Sequence, residues 1–232
     1  MFVPAGRLNA MTTKKIDPMP ADLACVFDGL YNDLCFTHLQ WNLYREIFVQ
    51  SKDRLEILEK TARTLFRALR VSLQDSVYLG LTRITERAMT GSRSNLTLDQ
   101  LLEKTPRPSA NFIDKVEKAL INAKHHCQPF RDHRNKRVAH RDLQSAMKRT
   151  FVRSPPEAVD GALKSVDDVM NIFSLRYGKG RCQYEGIIFD GGGRSLYCYL
   201  AAGVRLYELQ PKIKLGKITP EDLAQEVRTY PS

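Results

Sequence analysis

Eight apolar residues, Leu58, Ala62, Leu65, Leu69, Leu73, Val77, Leu81 and Ile84, follow one another at three- or four-residue steps. The mean step of about 3.7 is the period of an α-helix, and the run is far too long for a strand. Only one face of this helix is apolar, so it has to be buried against partners. A second stripe precedes it: Leu23, Val26, Leu30, Leu34, Trp41, Tyr44 and Phe48 put a helix over about 21–50, with Pro20 suited to its first turn. Ser51-Lys52-Asp53 separates the two with capping residues. Two long amphipathic helices in succession already favour a bundle.

The rest of the chain continues the pattern. Residues 90–110 are rich in Ser, Thr and Pro and read as a loop carrying a short helix over 97–104, capped by Thr97. A third helical region runs over 110–125 and continues, or kinks at Pro129, into 130–149. A fourth starts with Ser154 as N-cap and Pro155 in its first turn, and presents Val159, Leu163, Val166, Val169, Met170 and Phe173. The glycine-rich stretch 178–193 reads as a loop with a β-like piece from Tyr184 to Phe189. A fifth helix over about 194–209 presents Leu196, Tyr199, Leu200 and Leu206, and a short one follows Thr219. No βαβ alternation and no repeat is visible. The expectation is an all-α bundle of about five main helices with long connecting loops. It divides into a tail (1–18), a helical domain (19–210) and a C-terminal extension (211–232), with Met11 an alternative start.

Composition removes several classes. Apolar residues make up 43% of the 232, too many for a disordered chain. No apolar run is long enough to span a bilayer, and the first 15 residues lack the apolar core of a secretory leader. The five cysteines, Cys25, Cys35, Cys127, Cys182 and Cys198, are odd in number and form no CxxC pair. They read as reduced thiols of a cytoplasmic protein, with Cys25 and Cys198 buried among apolar neighbours. His125, His126, Cys127 and His133 fit no zinc spacing, so no metal is expected. Gly191-Gly192-Gly193 has neither dinucleotide nor P-loop spacing and reads as a flexible turn, so no cofactor is expected. Arg83 and Glu86, one turn apart, read as an ordinary surface pair.

The charge is concentrated. The chain carries a formal +10, and residues 124–150 hold eight Lys or Arg against Asp132 and Asp142. Four of the five histidines, His125, His126, His133 and His140, lie in the same stretch. Phe130 is its single aromatic, which argues against a surface that binds single strands by stacking. A solvated basic helix face and an anion-binding site both fit this charge.

Within the stretch, Arg134-Asn135 followed by four residues and His140 matches the Arg-x(4–6)-His motif of the HEPN superfamily (higher eukaryote and prokaryote nucleotide-binding). The string RNKRVAHRD resembles the abortive-infection, AbiU-type branch. LQWNLYREIF, LGLTRITERA and NLTLDQLL are similar to that branch in kind and order, so the resemblance extends over roughly residues 20–210. It implies a HEPN helical bundle, commonly a homodimer, in which the Arg and His meet in a cleft between subunits. It also implies either a metal-independent endoribonuclease of a phage-defence or toxin-type system, or a non-catalytic module that binds RNA, nucleotide or a protein partner. A basic face that neutralises an antitoxin-like protein is a further reading.

These residue types suit RNA cleavage by the substrate's own 2′-hydroxyl. A histidine such as His140 moves protons near neutral pH. Arg134 stays charged, offers a planar fork to phosphate oxygens and can stabilise the charge that grows on the phosphorane. Asn135 suits a phosphate, a ribose or the His140 ring, and the sequence leaves the three open. Arg131, Lys136, Arg137 and Arg141 are candidate phosphate or RNA ligands. Asp142 and His133 are candidate supports, Asp142 either orienting His140 or capping the helix end. One geometric difficulty stands out. On a regular helix six residues advance about 600°, or about 240° net, and about 9 Å. Arg134 and His140 then face different ways, so their convergence needs a helix end, a bend near the motif or a second subunit.

Overall fold

The computed structural model describes residues 17–135, 154–184, 192–219, 222, 223 and 225. Two long helices come first, α1 (Ala21–Phe48) and α2 (Lys52–Ile84). Ser51 separates them as expected: it is the N-cap of α2, and its hydroxyl accepts from the Arg54 N–H at 3.5 Å. The three-residue connection forces the helices antiparallel, and they form the most extensive helix pair of the fold. Thr37 meets Gly80 and Asp33 meets Arg83 across their seam.

A short hairpin, β1 (Met89–Thr90) with β2 (Arg93–Ser94), follows in the Ser/Thr-rich region read from sequence as loop and helix only. Its tight turn needs a left-handed residue, which Gly91 supplies at φ 60°. Then come α3 (Leu98–Glu103), α4 (Ala110–His133), α5 (Pro156–Arg176) and α6 (Gly193–Lys214). The described residues are thus all-α apart from two-residue strands, with five long helices and one short one.

Helices α4 and α5 form a second antiparallel pair, with Phe112 edge-on to Phe173 near one end and His126 against Gly161 nearer the other. This pair closes onto α1 and α2 around a core that includes Leu30, Leu34, Tyr78, Leu81, Val116, Phe130, Val166 and Phe173. Each such side chain contributes about 1.5–3 kcal/mol by leaving water. The expected apolar face of α5 is buried at all six positions. Helices α1 and α5 are bridged by polar bonds: His38 to Asp167 at 2.9 Å and Trp41 Nε1 to Asp160 at 2.6 Å. Both polar pairs fall on faces that otherwise bury hydrocarbon, so each buried polar group needs its partner.

Several local expectations change. The α2 stripe fails at one position: Leu65 is 63% exposed and Phe66 is buried in its place. Ala62 breaks the helix there (φ −152°, ψ 64°), and the break advances the apolar face by one residue. The N-cap of α5 is Pro155, with Pro156 at its first position and no side-chain cap. A residue before proline is held extended, so Pro156 keeps Pro155 out of the helix and pushes the start one residue past Ser154. Thr97 occupies the N-cap position of α3, yet its hydroxyl caps nothing and is buried. Helix α4 continues through Pro129 and ends at His133; residues 136–149 of the expected continuation lie outside the described residues. Helix α6 runs through Pro211 to Lys214. Cys25 and Cys198 are exposed, and Cys127 is the buried thiol. Of the β-like piece only Tyr184 is described, in a tight helical turn. At Thr219 the expected helix start is present as a reciprocal cap: its hydroxyl accepts from the Asp222 N–H at 3.1 Å and donates to the Asp222 carboxylate at 2.8 Å.

Gly192 and Gly193, at the start of α6, are a close-packed joint. The Gly193 N–H donates to Glu46 Oε2 at 2.7 Å, tying the N-terminus of α6 to α1. A Cβ on Gly193 would stand 2.6 Å from Ile47 Cγ1 and 2.9 Å from Glu46 Cβ. The carboxylate lies where the helix dipole favours an anion, so the protein fills its own anion position. Tyr197, Ala201 and Ile57 form a small second core beneath α6, with the Arg54 guanidinium over the Tyr197 ring at 4.7 Å.

Candidate functional site

The C-terminal ends of α2 and α4 meet, and local bonds fix where α2 stops. At the end of α2 the Thr85 hydroxyl turns back to the Leu81 carbonyl at 2.7 Å. The chain then leaves the helix through Glu86, Arg87 and Ala88. That turn is pinned from the hairpin side: the Asn95 side chain donates to the Arg87 carbonyl at 3.0 Å, and the Asn95 N–H to the Ala88 carbonyl at 2.8 Å. It is pinned again from α4, where Arg131 Nη2 donates to the Thr85 carbonyl at 2.9 Å. A guanidinium on the last carbonyls of a helix satisfies an orphan acceptor and the dipole together. Arg131, a sequence candidate for RNA, is thus engaged with α2 and with Gln128 Oε1 at 3.0 Å.

Helix α4 is anchored below this point by Phe130, whose ring centroid lies 4.7 Å from that of Tyr78. His133 follows. Its ring meets Tyr78 edge-on at 4.9 Å, and its Nε2 lies 3.3 Å from Asp75 Oδ1. At 9% side-chain exposure it is a fixed post at the end of the helix. Burial holds the Tyr78 phenol above its ordinary pKa, and Gln74 donates to that phenol oxygen at 2.7 Å. One residue later the regular helix stops, and residues 134 and 135 continue as a wide, π-type turn. Arg134, the first residue of the motif, thus stands at the end of the regular helix.

The Arg134 side chain is 20% exposed and held on two edges. Its Nη1 donates to Glu86 Oε1 and Oε2 at 3.0 and 3.1 Å, and its Nη2 donates to Glu86 Oε1 at 3.1 Å. Its Nε and Nη2 donate to Asn135 Oδ1 at 3.1 and 3.0 Å. Glu86 is the residue that sequence reasoning missed. Instead of pairing with Arg83 it holds Arg134, and Arg83 pairs with Asp33 of α1 at 3.0 Å. The two partners lie 48 residues apart, so helical spacing offers no signal for them. Arg131, His133, Arg134 and Asn135 thus gather at one end of the α2–α4 pair. Lys136, Arg137, His140, Arg141 and Asp142 lie outside the described residues.

Among the described residues the remaining histidines, His38, His125 and His126, do not join this cluster. His126 Nδ1 bonds to the Asn122 carbonyl one turn back at 3.0 Å, and Cys127 is fully buried, its thiol pushed up to about 11 by burial. Among the described residues no three His, Cys, Asp or Glu side chains are placed to hold a metal ion. His38, the histidine outside the basic stretch, is buried between α1 and α5, stacked on the Tyr184 ring at 5.8 Å. A separate cavity of about 770 Å³ opens between the start of α4 and the end of α5, with Arg176 stacked over Phe112 at 4.2 Å. None of the described helices is long and apolar enough to cross a membrane.

No curated protein and no solved structure matches this chain. The family model of the AbiU2 HEPN domain does, over residues 23–181. That span opens at Leu23, the first buried residue of α1, and closes five residues past α5. It contains both helix ends that carry the Arg134 cluster and leaves α6 outside. Matched over more than half of its length, with the Arg–Asn pair at the end of a bundle helix, the chain belongs to the AbiU2 family of HEPN domains.

Proposed function

We propose that this protein is a metal-independent endoribonuclease of a phage-defence or toxin-type system, cutting RNA with Arg134 and His140. The observation that carries the reading is the position of Arg134. It is a charged fork set on a rigid helix end, where the regular helix gives way within the motif. The family supports the same class of role.

In this reading a neutral His140 nitrogen takes the proton from a ribose 2′-hydroxyl, and that oxygen forms a bond to the adjacent phosphorus. The bond from phosphorus to the 5′-oxygen breaks, and the departing oxygen receives a proton. The products are a 2′,3′-cyclic phosphate and a 5′-hydroxyl end, and no outside water or metal is consumed. Arg134 stabilises the charge that accumulates on the phosphoryl oxygens. Asn135 fixes the guanidinium plane, and the basic residues Lys136, Arg137 and Arg141 draw the backbone in. Two copies pair so that both motifs line one cleft, and the protein works in the cytoplasm, restrained by an antitoxin-like partner.

A second reading has a specific observation behind it. Both edges of the Arg134 fork are already satisfied by Glu86 and Asn135. A guanidinium so engaged also suits a structural arginine in a non-catalytic module that binds RNA, nucleotide or a protein partner. Incubation of the purified protein with RNA, with and without EDTA, beside Arg134→Ala and His140→Ala, separates the two. Cleavage that resists EDTA and is lost in both variants is the expected result. Cleavage surviving both substitutions would remove the site from consideration, and binding without cleavage would favour the silent module.

A further inference from the structure

The Glu86 carboxylate occupies the Nη1/Nη2 edge of Arg134, an edge whose geometry equally suits a phosphate. A guanidinium offers five N–H donors, and it recognises phosphate best through two parallel bonds from one edge. In Arg134 the Nη1/Nη2 edge faces Glu86 and the Nε/Nη2 edge faces Asn135. No two-donor edge is left for a substrate. The pair is also within reach of solvent, with Glu86 at 35% and Arg134 at 20% side-chain exposure, so an incoming anion can contact it.

We propose that Glu86 is an internal competitor for the phosphate position of Arg134, and that RNA engages this arginine most readily by exchanging its phosphate for the Glu86 carboxylate. The inference rests on the reading of Arg134 as a phosphate-binding residue, and it does not depend on whether RNA is then cut. Asn135 does not offer an easier route. A phosphate that displaced the neutral Asn135 oxygen would still share one guanidinium with a carboxylate, and like charges on a common partner oppose each other. Whichever edge the phosphate takes, Glu86 raises the threshold for binding. The backbone that carries it is a stable base for such a gate, since Thr85 is fastened by Arg131 and Arg87 by Asn95. The carboxylate can swing toward solvent while the turn remains in place.

The test is RNA affinity in a form that cannot react. Fluorescence anisotropy with a 2′-O-methyl oligoribonucleotide, which lacks the attacking hydroxyl, reads binding alone. Glu86→Gln keeps the shape of the side chain and removes the charge, and should bind about tenfold more tightly than wild type, the order expected for releasing a partly buried bidentate arginine. Glu117→Gln makes the same change of net charge on an exposed face of α4 and should shift affinity by less than about twofold. In an Arg134→Ala background, Glu86→Gln should have no further effect, because the competitor has lost what it competes for. If Glu86→Gln does not fold, as judged by its melting profile, Glu86→Asp carries the test. Its shorter arm loosens the bidentate contact and should tighten binding by about threefold. Unchanged or weaker binding by the Glu86 variant overturns the proposal, as does a gain that persists without Arg134, or the absence of RNA binding by every variant. A parallel assay with unmodified RNA reports cleavage separately. Failure to cut, with the Glu86 effect intact, would count against the ribonuclease reading and leave the competition standing.

Discussion

Replacing Gly80 with alanine probes the seam that sets the end of α2 against α1. Gly80 is buried in the interior of α2, where alanine is worth about 1 kcal/mol more than glycine by helix propensity alone. Propensity therefore predicts a more stable protein. The seam predicts the opposite. A Cβ at this position would lie 2.5 Å from Thr37 Oγ1, 3.1 Å from its Cγ2 and 3.4 Å from its Cβ. Thr37 cannot swing aside freely, because its hydroxyl donates to the Asp33 carbonyl at 2.7 Å and its branched Cβ limits its rotamers. Overpacking costs about 1–3 kcal/mol, and a 2.5 Å approach belongs in the upper part of that range, about 2–3 kcal/mol, so a net loss of about 1–2 kcal/mol remains after the propensity gain. For a chain of this length that lowers Tm by about 2–8 °C. Thermal and urea denaturation measure it, and the double variant gives the mechanism. Thr37→Ala removes both crowding atoms and should cost about 1 kcal/mol alone, while Gly80→Ala with Thr37→Ala should return close to wild type. A neutral or stabilising Gly80→Ala, or losses that simply add in the double variant, would refute the steric argument. The same seam carries Asp33–Arg83 and lies one to two turns before Glu86, so the single variant should also change RNA affinity.

Thiol chemistry should follow burial. Cys25 and Cys198 should react with a maleimide in the folded protein, and Cys127 only on unfolding, as read by mass spectrometry of labelled peptides. Because burial raises the Cys127 pKa from 9.0 to about 11, the folded state keeps a proton that the unfolded state releases. Its stabilising contribution is complete below pH 9 and fades as pH rises toward 11. Denaturation midpoints should therefore fall across that window by the equivalent of about 2–3 kcal/mol, with a smaller fall in Cys127→Ala. Gly193→Ala should detach the start of α6, because its Cβ would collide with Ile47 and Glu46, and limited proteolysis should then cut before α6 while α1–α5 persist. Arg131→Ala should lower global stability by about 1.5–3 kcal/mol by leaving the Thr85 carbonyl without its charged donor, a loss measurable by urea denaturation.

Most of the helices were legible because they follow from periodicity. The stripes from Leu23 and from Leu58, the break at Ser51 and the face from Val159 to Phe173 are local patterns, and a helix repeats its own geometry every turn. Legibility failed where a local signal had to be weighed against a distant one. Leu65 fits the stripe, but a break at Ala62 moves Phe66 into the core. Gly192 and Gly193 look like part of a turn, but Glu46 presses against both and Ile47 against Gly193, leaving no room for a side chain. Cys198 reads as buried among apolar neighbours in sequence, yet it stands on the outer side of its helix.

The candidate site divides in the same way. Sequence alone determined that the positive charge gathers in 124–150, that Arg134, Asn135 and His140 stand at a motif spacing, and that a regular helix could not bring Arg134 and His140 together. Only the tertiary structure decided what Arg134 touches. Its partner Glu86 lies 48 residues away in a turn beyond another helix. A carboxylate there has no periodic relation to the arginine. The pairing exists because Phe130 and Tyr78 pack α4 onto α2 and bring the two helix ends to the same place.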